Sequence, residues 1–204
     1  MSVVTTLASN PSARVTAVIL AGGRGSRMHG QDKGLLALDG RPLVEHVLER
    51  VRPQVDEVVI SANRNLDRYA SYNLRVVPDV VHGHPGPLAG LLSAMRQIDD
   101  GLIQLVPCDS PAVSRQLVAR LKTPLLENAA RIALPDDGVR LQPLFSLLDV
   151  SLRENLEHAV RRGELKAVRW MTDQKHIQVD FSDTAGSFIN LNTPDEFHGY
   201  HYGT

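Results

Sequence analysis

The sequence predicts an α/β fold, a Rossmann-like three-layer sandwich with a mostly parallel sheet and an antiparallel hairpin in its C-terminal half. Through about residue 110, short β-branched runs alternate with longer amphipathic ones, the order that lays helices on both faces of a parallel sheet. Beyond that point "RIALPDDGVRLQPLFSLL" sets a Pro-Asp-Asp-Gly turn between two apolar runs, which is a hairpin signal. Directly behind the first apolar run stands "LAGGRGSRMHGQDKG", Leu20 to Gly34, dense in glycine and cations.

The elements follow in order. "VTAVILA" is the first strand. "RPLVEHVLERV" is a helix with Leu43, Val44, Val47, Leu48 and Val51 on one stripe and Pro42 in its first turn. "DEVVISA" and "LRVVPD" are strands, "GPLAGLLSAMRQI" a helix, and "LIQLVPCD" a fourth strand. "PAVSRQLVARLKTPLLEN" reads as helical in its first half. After the hairpin, a helix from Val150 to about Arg162 ends at Gly163, which suits a left-handed cap. "LKAVRWM" is a shorter helix, "HIQVDF" and "FIN" are strands, and "NTPDEF" starts a helix, with Thr193 as cap, Pro194 first, and Asp195 and Glu196 at the positive end.

The 204 residues suffice for one domain with a full core. We expect a loose tail over 1–12, a single domain over 13–198 with a nucleotide half to about 110 and a second-substrate half from about 111, and another tail over 199–204. A net charge of −1 offers no general pull towards nucleic acid or anionic membrane, so any anion site is local. A lone Cys108 forms no internal disulfide, no apolar run reaches bilayer length, and the N-terminus lacks the pattern of a secretory signal. Cytoplasm is the default location.

Ligands of open α/β sheets bind beyond the strand carboxyl ends, so the residues after each strand carry the chemistry. Gly22, Gly23 and Gly25 let backbone N–H groups approach an anion, and Arg24, Arg27 and Lys33 add charge. A dinucleotide fingerprint fails at Met28, and a Walker A loop fails at Gly30-Gln31-Asp32. Asp109, at the end of the fourth strand, offers the oxygen ligands that Mg2+ takes alongside substrate phosphates. Cys108 has no neighbouring histidine to act as base and reads as packing. The alternate histidines His82 and His84 make too small a set for a transition metal.

"LAGGRGSRMHGQDKG" resembles the LAGG-x-x-x-R-M-G-x-x-K signature of GT-A-like nucleotidyltransferases. With "ANR", "VPD", "PGPLAG", "PCDSP", "QPLF" and "FINLNTPDE", the chain resembles the molybdenum cofactor guanylyltransferase (MobA) family from about residue 15 to 197. The resemblance implies transfer of GMP from GTP to Mo-molybdopterin, giving molybdopterin guanine dinucleotide and pyrophosphate. It implies GTP contacts at Leu20, Ala21, Gly22, Gly23, Lys33, Ser61, Asp79 and Asp109. Arg27, Lys33 and Asp109 would be catalytic, and Asp109 would hold Mg2+ or Mn2+. Asn190 and Asn192 would face the pterin or help arrange the metal, and Gln142 and Lys166 are looser candidates for the pterin side. Two positions depart from the family: Ser61, where guanylyl members often carry Asn, with Asn63 two residues on, and His29, where Gly is usual.

The expected partners are GTP, Mo-molybdopterin, and proteins that deliver molybdopterin or mature molybdoenzymes, with no nucleic acid and no membrane. We expect a monomer, with weak self-association open. The rival readings are a CTP-dependent molybdopterin cytidylyltransferase, a sugar- or polyol-phosphate nucleotidyltransferase, and a non-catalytic nucleotide-binding accessory protein.

Overall fold

The computed structural model describes residues 13–22, 31–79, 86–164, 166–191 and 196. Within them the strands are β1 (Val15–Leu20), β2 (Ala37–Leu38), β3 (Arg41–Pro42), β4 (Glu57–Ser61), β5 (Arg75–Val77), β6 (Leu102–Pro107), β7 (Ile132–Asp136), β8 (Leu147–Asp149) and β9 (His176–Asp180). The helices are α1 (Leu43–Val51), α2 (Leu66–Ala70), α3 (Pro87–Met95), α4 (Leu117–Glu127), α5 (Arg153–Arg161) and α6 (Ala167–Thr172). Seven strands form one sheet in the order β5-β4-β1-β6-β8-β7-β9, and β2 pairs with β3 separately.

Alternation along the strands builds the three layers. Ala17 and Ile19 of β1, Val58 and Ile60 of β4, and Val106 of β6 face α1 and α4, where Val44, Val47, Leu117 and Leu121 complete one core. Val18, Val59, Ile103 and Leu105 point the other way, onto Leu88, Leu91 and Leu92 of α3, Leu156 of α5 and Trp170 of α6. The helix α3 is buried from Leu88 to Met95, which explains its uniformly apolar sequence.

β1 pairs in parallel with β4 on one side and β6 on the other. The chain runs outward from β1 through β4 to β5, then returns under α3 to β6, so the order reverses about β1. Such a switch point opens a crevice beyond the strand carboxyl ends. The register makes those ends level: Leu20 stands opposite both Ser61 and Pro107, and Ser61 opposite Val77.

In the C-terminal half the antiparallel pieces are present. β8 runs against both β6 and β7, while β7 and β9 are parallel. The chain between β7 and β8 bridges Asp136 to Leu141 and turns through a 3-10 segment, Pro143–Phe145. Asp149 ends β8 fully buried, accepting from Ser151 N (2.8 Å) and Ser151 Oγ (2.5 Å), with Arg131 Nε at 3.3 Å. It caps the 3-10 turn that leads into α5. Asp149→Ala is expected to cost about 2 kcal/mol, through the lost cap and the loss of the carboxylate that faces Arg131; urea unfolding measures it.

Two expectations are corrected. In the 111–128 segment it is the second half that is helical, Leu117–Glu127. Ser114 Oγ accepts from Gln116 N and Gln54 Oε1 from Val118 N, so the donors that a helix start leaves open are met here. "FIN" is not a strand: Ser182–Phe188 forms 3-10 turns. Phe188 packs edge-on against Phe145 and Phe181, with ring centroids at 4.9 and 5.5 Å, so side chains rather than a ladder hold this segment. The predicted cap at Gly163 is present, with φ +80 and its N–H donating to Val160 O at 3.0 Å. Of the helix start at "NTPDEF", Thr193 to Asp195 lie outside the described residues.

Candidate active site

The level strand ends bring four short segments to one rim. Ala21 N donates to Ser61 O (2.8 Å), Cys108 N to Leu20 O (3.1 Å) and Ala62 N to Val77 O (3.1 Å), continuing the parallel ladders one step past the sheet. Leu20-Ala21-Gly22, Ser61-Ala62-Asn63, Pro78-Asp79 and Cys108-Asp109 therefore stand side by side.

On one side of the rim, Lys33 Nζ donates to Asp109 Oδ2 at 3.2 Å. Lys33 opens a 3-10 turn, Lys33–Leu35, and Asp109 follows β6. Burial raises the proton affinity of the Asp109 carboxyl, the Lys33 ammonium opposes this, and Glu196 adds a smaller push upward. Leu191 N donates to Asp109 O at 2.9 Å and Ser110 Oγ donates to Asn190 Oδ1 at 2.6 Å, so the 189–191 segment is fastened beside Asp109.

On the other side, Asp79 is held from two directions. Asn63 Nδ2 donates to its Oδ2 at 2.7 Å and Asp79 N donates to Asn63 Oδ1 at 2.8 Å, while Ser61 Oγ lies 3.4 Å from Oδ1. A Cβ on Gly22 would come 3.2 Å from Asn63 Nδ2, so this glycine lets the first loop pass close to the pair. Gly90, inside α3, is packed similarly: a Cβ there would sit 2.7 Å from Ser61 Oγ and 3.2 Å from Leu20 Cδ2. Gly90→Ala should gain about 1 kcal/mol of helix propensity and lose about 1–3 kcal/mol to overpacking. The net expectation is a slightly less stable protein in which Ser61 turns away from Asp79; thermal melts read the change.

Of the sequence candidates, Leu20, Ala21, Gly22, Lys33, Ser61, Asp79, Asp109 and Asn190 stand at or beside these strand ends. Gln142 lies just past the carboxyl end of β7, which runs in the same direction as β6, and Lys166 lies before α6. Gln142 Nε2 donates to Asp137 Oδ2 at 2.6 Å within the β7–β8 arm, and Lys166 precedes α6 in a groove of about 810 Å³ with Asn155, Arg162, Arg169 and Trp170. Gly23, Arg27, His29, His82, His84 and Asn192 lie outside the described residues. Cys108 is buried, and burial pushes its thiol well above the usual range, consistent with packing rather than nucleophilic attack.

Sequence reading passes over Asn63 as a site residue, along with Ser110 and the Asp32–Tyr69 contact, Tyr69 OH to Asp32 Oδ1 at 2.6 Å. Asn63 carries a usable signal, since it follows a strand by two residues in a parallel sheet. The other two depend on contacts distant in sequence.

A lysine is set against a buried carboxylate beyond the central strands, with a second carboxylate held across the ends of β4 and β5, and the chain that carries them is a nucleotidyltransferase-class α/β protein by its family match. The MobA-like NTP transferase domain matches residues 17–178. A molybdenum cofactor guanylyltransferase of Shewanella halifaxensis is 42% identical over 185 residues, covering 91% of this chain and 92% of the relative. Its counterpart in Shewanella pealeana is 43% identical with the same coverage. The chain belongs to the MobA-like NTP transferase family. In fold it is similar to the molybdopterin-guanine dinucleotide biosynthesis protein A of Archaeoglobus fulgidus, with TM-score 0.76 and 24% identity over 90% of this chain and 95% of that one.

The donor set at Asp109 fits a hard divalent cation. Asp109 offers carboxylate oxygens, with the Ser110 hydroxyl and the Asn190 amide oxygen alongside, and among the described residues no group of three or more His, Cys, Asp or Glu could hold a metal ion. A hard divalent cation takes one or two carboxylates and completes its shell with water and substrate phosphates. No helix among the described residues is long and apolar enough to cross a membrane.

Proposed function

We propose that the protein transfers GMP from GTP to Mo-molybdopterin, releasing pyrophosphate and forming molybdopterin guanine dinucleotide, in the cytoplasm and with Mg2+. The observation that carries this reading is the Lys33–Asp109 pair, 3.2 Å apart at the end of β6, within a chain of this family. Lys33 would hold phosphate oxygens and balance charge that moves onto the leaving pyrophosphate, with Arg27 and the glycine-loop amides adding to it. Asp109 would hold the cation, which when bound supplies charge neutralisation between the reacting phosphates. Asp79, steadied by Asn63 and Ser61, would accept hydrogen bonds from the guanine or ribose, and Asn190 and Asn192 would face the pterin.

The attacking group would be the pterin's terminal phosphate, whose second pKa is about 6, so it is already anionic at neutral pH. A general base is not needed. The residues instead align two anions that repel each other, which suits a site of cations and carboxylates.

GTP labelled on the α-phosphate tests the reading. With Mo-molybdopterin and Mg2+, the label should enter the dinucleotide product while pyrophosphate forms in equal amount. A preference for CTP would shift the reading to a cytidylyltransferase, and nucleotide binding without pyrophosphate release would make the protein an accessory binder.

A further inference from the structure

Lys33 is aimed by a fixed backbone, and its two chain neighbours are gripped by one small helix. Asp32 directly precedes it. The Asp32 carboxylate accepts from Asn65 Nδ2 at 3.0 Å and from Tyr69 OH at 2.6 Å, while Asp32 O accepts from Leu35 N at 3.1 Å. Gly34 directly follows it, and a Cβ there would lie 2.5 Å from the Tyr69 hydroxyl and 3.3 Å from Cys108 Sγ, so the chain presses against both. One residue further back, Arg64 lies 3.4 Å from Gln31 O. Tyr69 is fully buried, and burial with the Asp32 contact keeps its phenol protonated as a donor. Asn65 caps α2 at φ +51, a conformation that asparagine tolerates well.

We propose that Asp32, Asn65 and Tyr69 are positioning residues that hold the 32–34 backbone so that the Lys33 ammonium meets Asp109 and the phosphates. This rests on the reading of Lys33 as a phosphate-holding cation. The clamp ties the loop after β1 to the helix after β4, and Gly34 closes it against the end of β6. Three strand ends are thus locked around one lysine. Catalytic groups need such locking, since a displacement of about 1 Å can cost up to about 100-fold in rate.

The test uses the full chain with two variants. Tyr69→Phe removes one hydroxyl and keeps the ring, and Asn65→Gly removes the amide while keeping the positive φ, which covers the case in which the core variant folds poorly. Each should lower kcat for GMP transfer about 10-fold with a smaller change in KM for GTP. In a Lys33→Ala background neither should cause further loss, because the effect passes through that lysine. Without any nucleotide, acylation of Lys33 by acetic anhydride, followed by mass spectrometry, should become severalfold faster in both variants. Equal losses with and without Lys33, or an unchanged acylation rate, overturn the clamp. Wild-type protein that transfers no GMP overturns the functional reading instead, and the acylation rates then decide the clamp on their own.

Discussion

Asp109→Asn should abolish measurable GMP transfer, a loss of at least about 1,000-fold, while the protein stays folded. The amide keeps the size of the carboxyl group but carries no charge to hold a divalent cation. Stability should not suffer. Burial raises the proton affinity of Asp109 in the folded chain, so its ionised form is held at a cost relative to the unfolded chain. The folded state then binds the proton more tightly, and stability contributed at this position falls as pH rises through and above the ordinary carboxylate range. The uncharged amide of the variant has no such dependence but also leaves the Lys33 ammonium without its carboxylate, so the two effects offset and Asp109→Asn should melt close to wild type near neutral pH. Coupled turnover assays and thermal melts check the two halves together. Substantial activity in Asp109→Asn would remove the residue from the cation site.

Lys33→Ala is expected to slow transfer about 100- to 1,000-fold, the range found when one preorganised donor to transition-state charge is lost. If Lys33 holds the proposed place, the fall should lie mainly in kcat, because its ammonium would act most when negative charge builds on the departing pyrophosphate. A second consequence follows from the pair itself. Lys33 is the cation that opposes the burial effect on Asp109, so its removal drives the Asp109 proton affinity further up. The residual activity of Lys33→Ala should therefore need a higher pH than the wild-type activity does. Steady-state kinetics over a pH series reads both effects, and an unchanged kcat would exclude Lys33 from phosphate handling.

Much of the frame is legible in the sequence because it obeys simple periodicities. β1, β4 and β6 are short buried runs rich in Val, Ile and Leu, and α1 shows its stripe openly. Lys33 and Asp109, 76 positions apart, both stand out from the character of their segments, and the fold brings them into contact. What stays hidden depends on tertiary partners. α2 is five residues long, too short for a helical period to register, yet its Tyr69 is fully buried and bonds Asp32. The true start of α4 is set by Gln54, 64 positions upstream of the Val118 amide it accepts from. The "FIN" segment looks like a strand by composition, but aromatic packing and the Ser110–Asn190 bond hold it instead. Asp32 carries no signal of its own in the sequence, because its partners Asn65 and Tyr69 lie 33 and 37 positions away.

The structure of the complex with GTP and Mg2+ tests the central claim most directly, that the level ends of β1, β4 and β6 form the nucleotide site. The triphosphate is expected beside Lys33, the cation on Asp109, and the nucleoside against Gly22, Ser61 and Asp79. A nucleotide seated elsewhere, such as the groove beside Lys166 and Trp170, or a cation without Asp109 among its ligands, would contradict it.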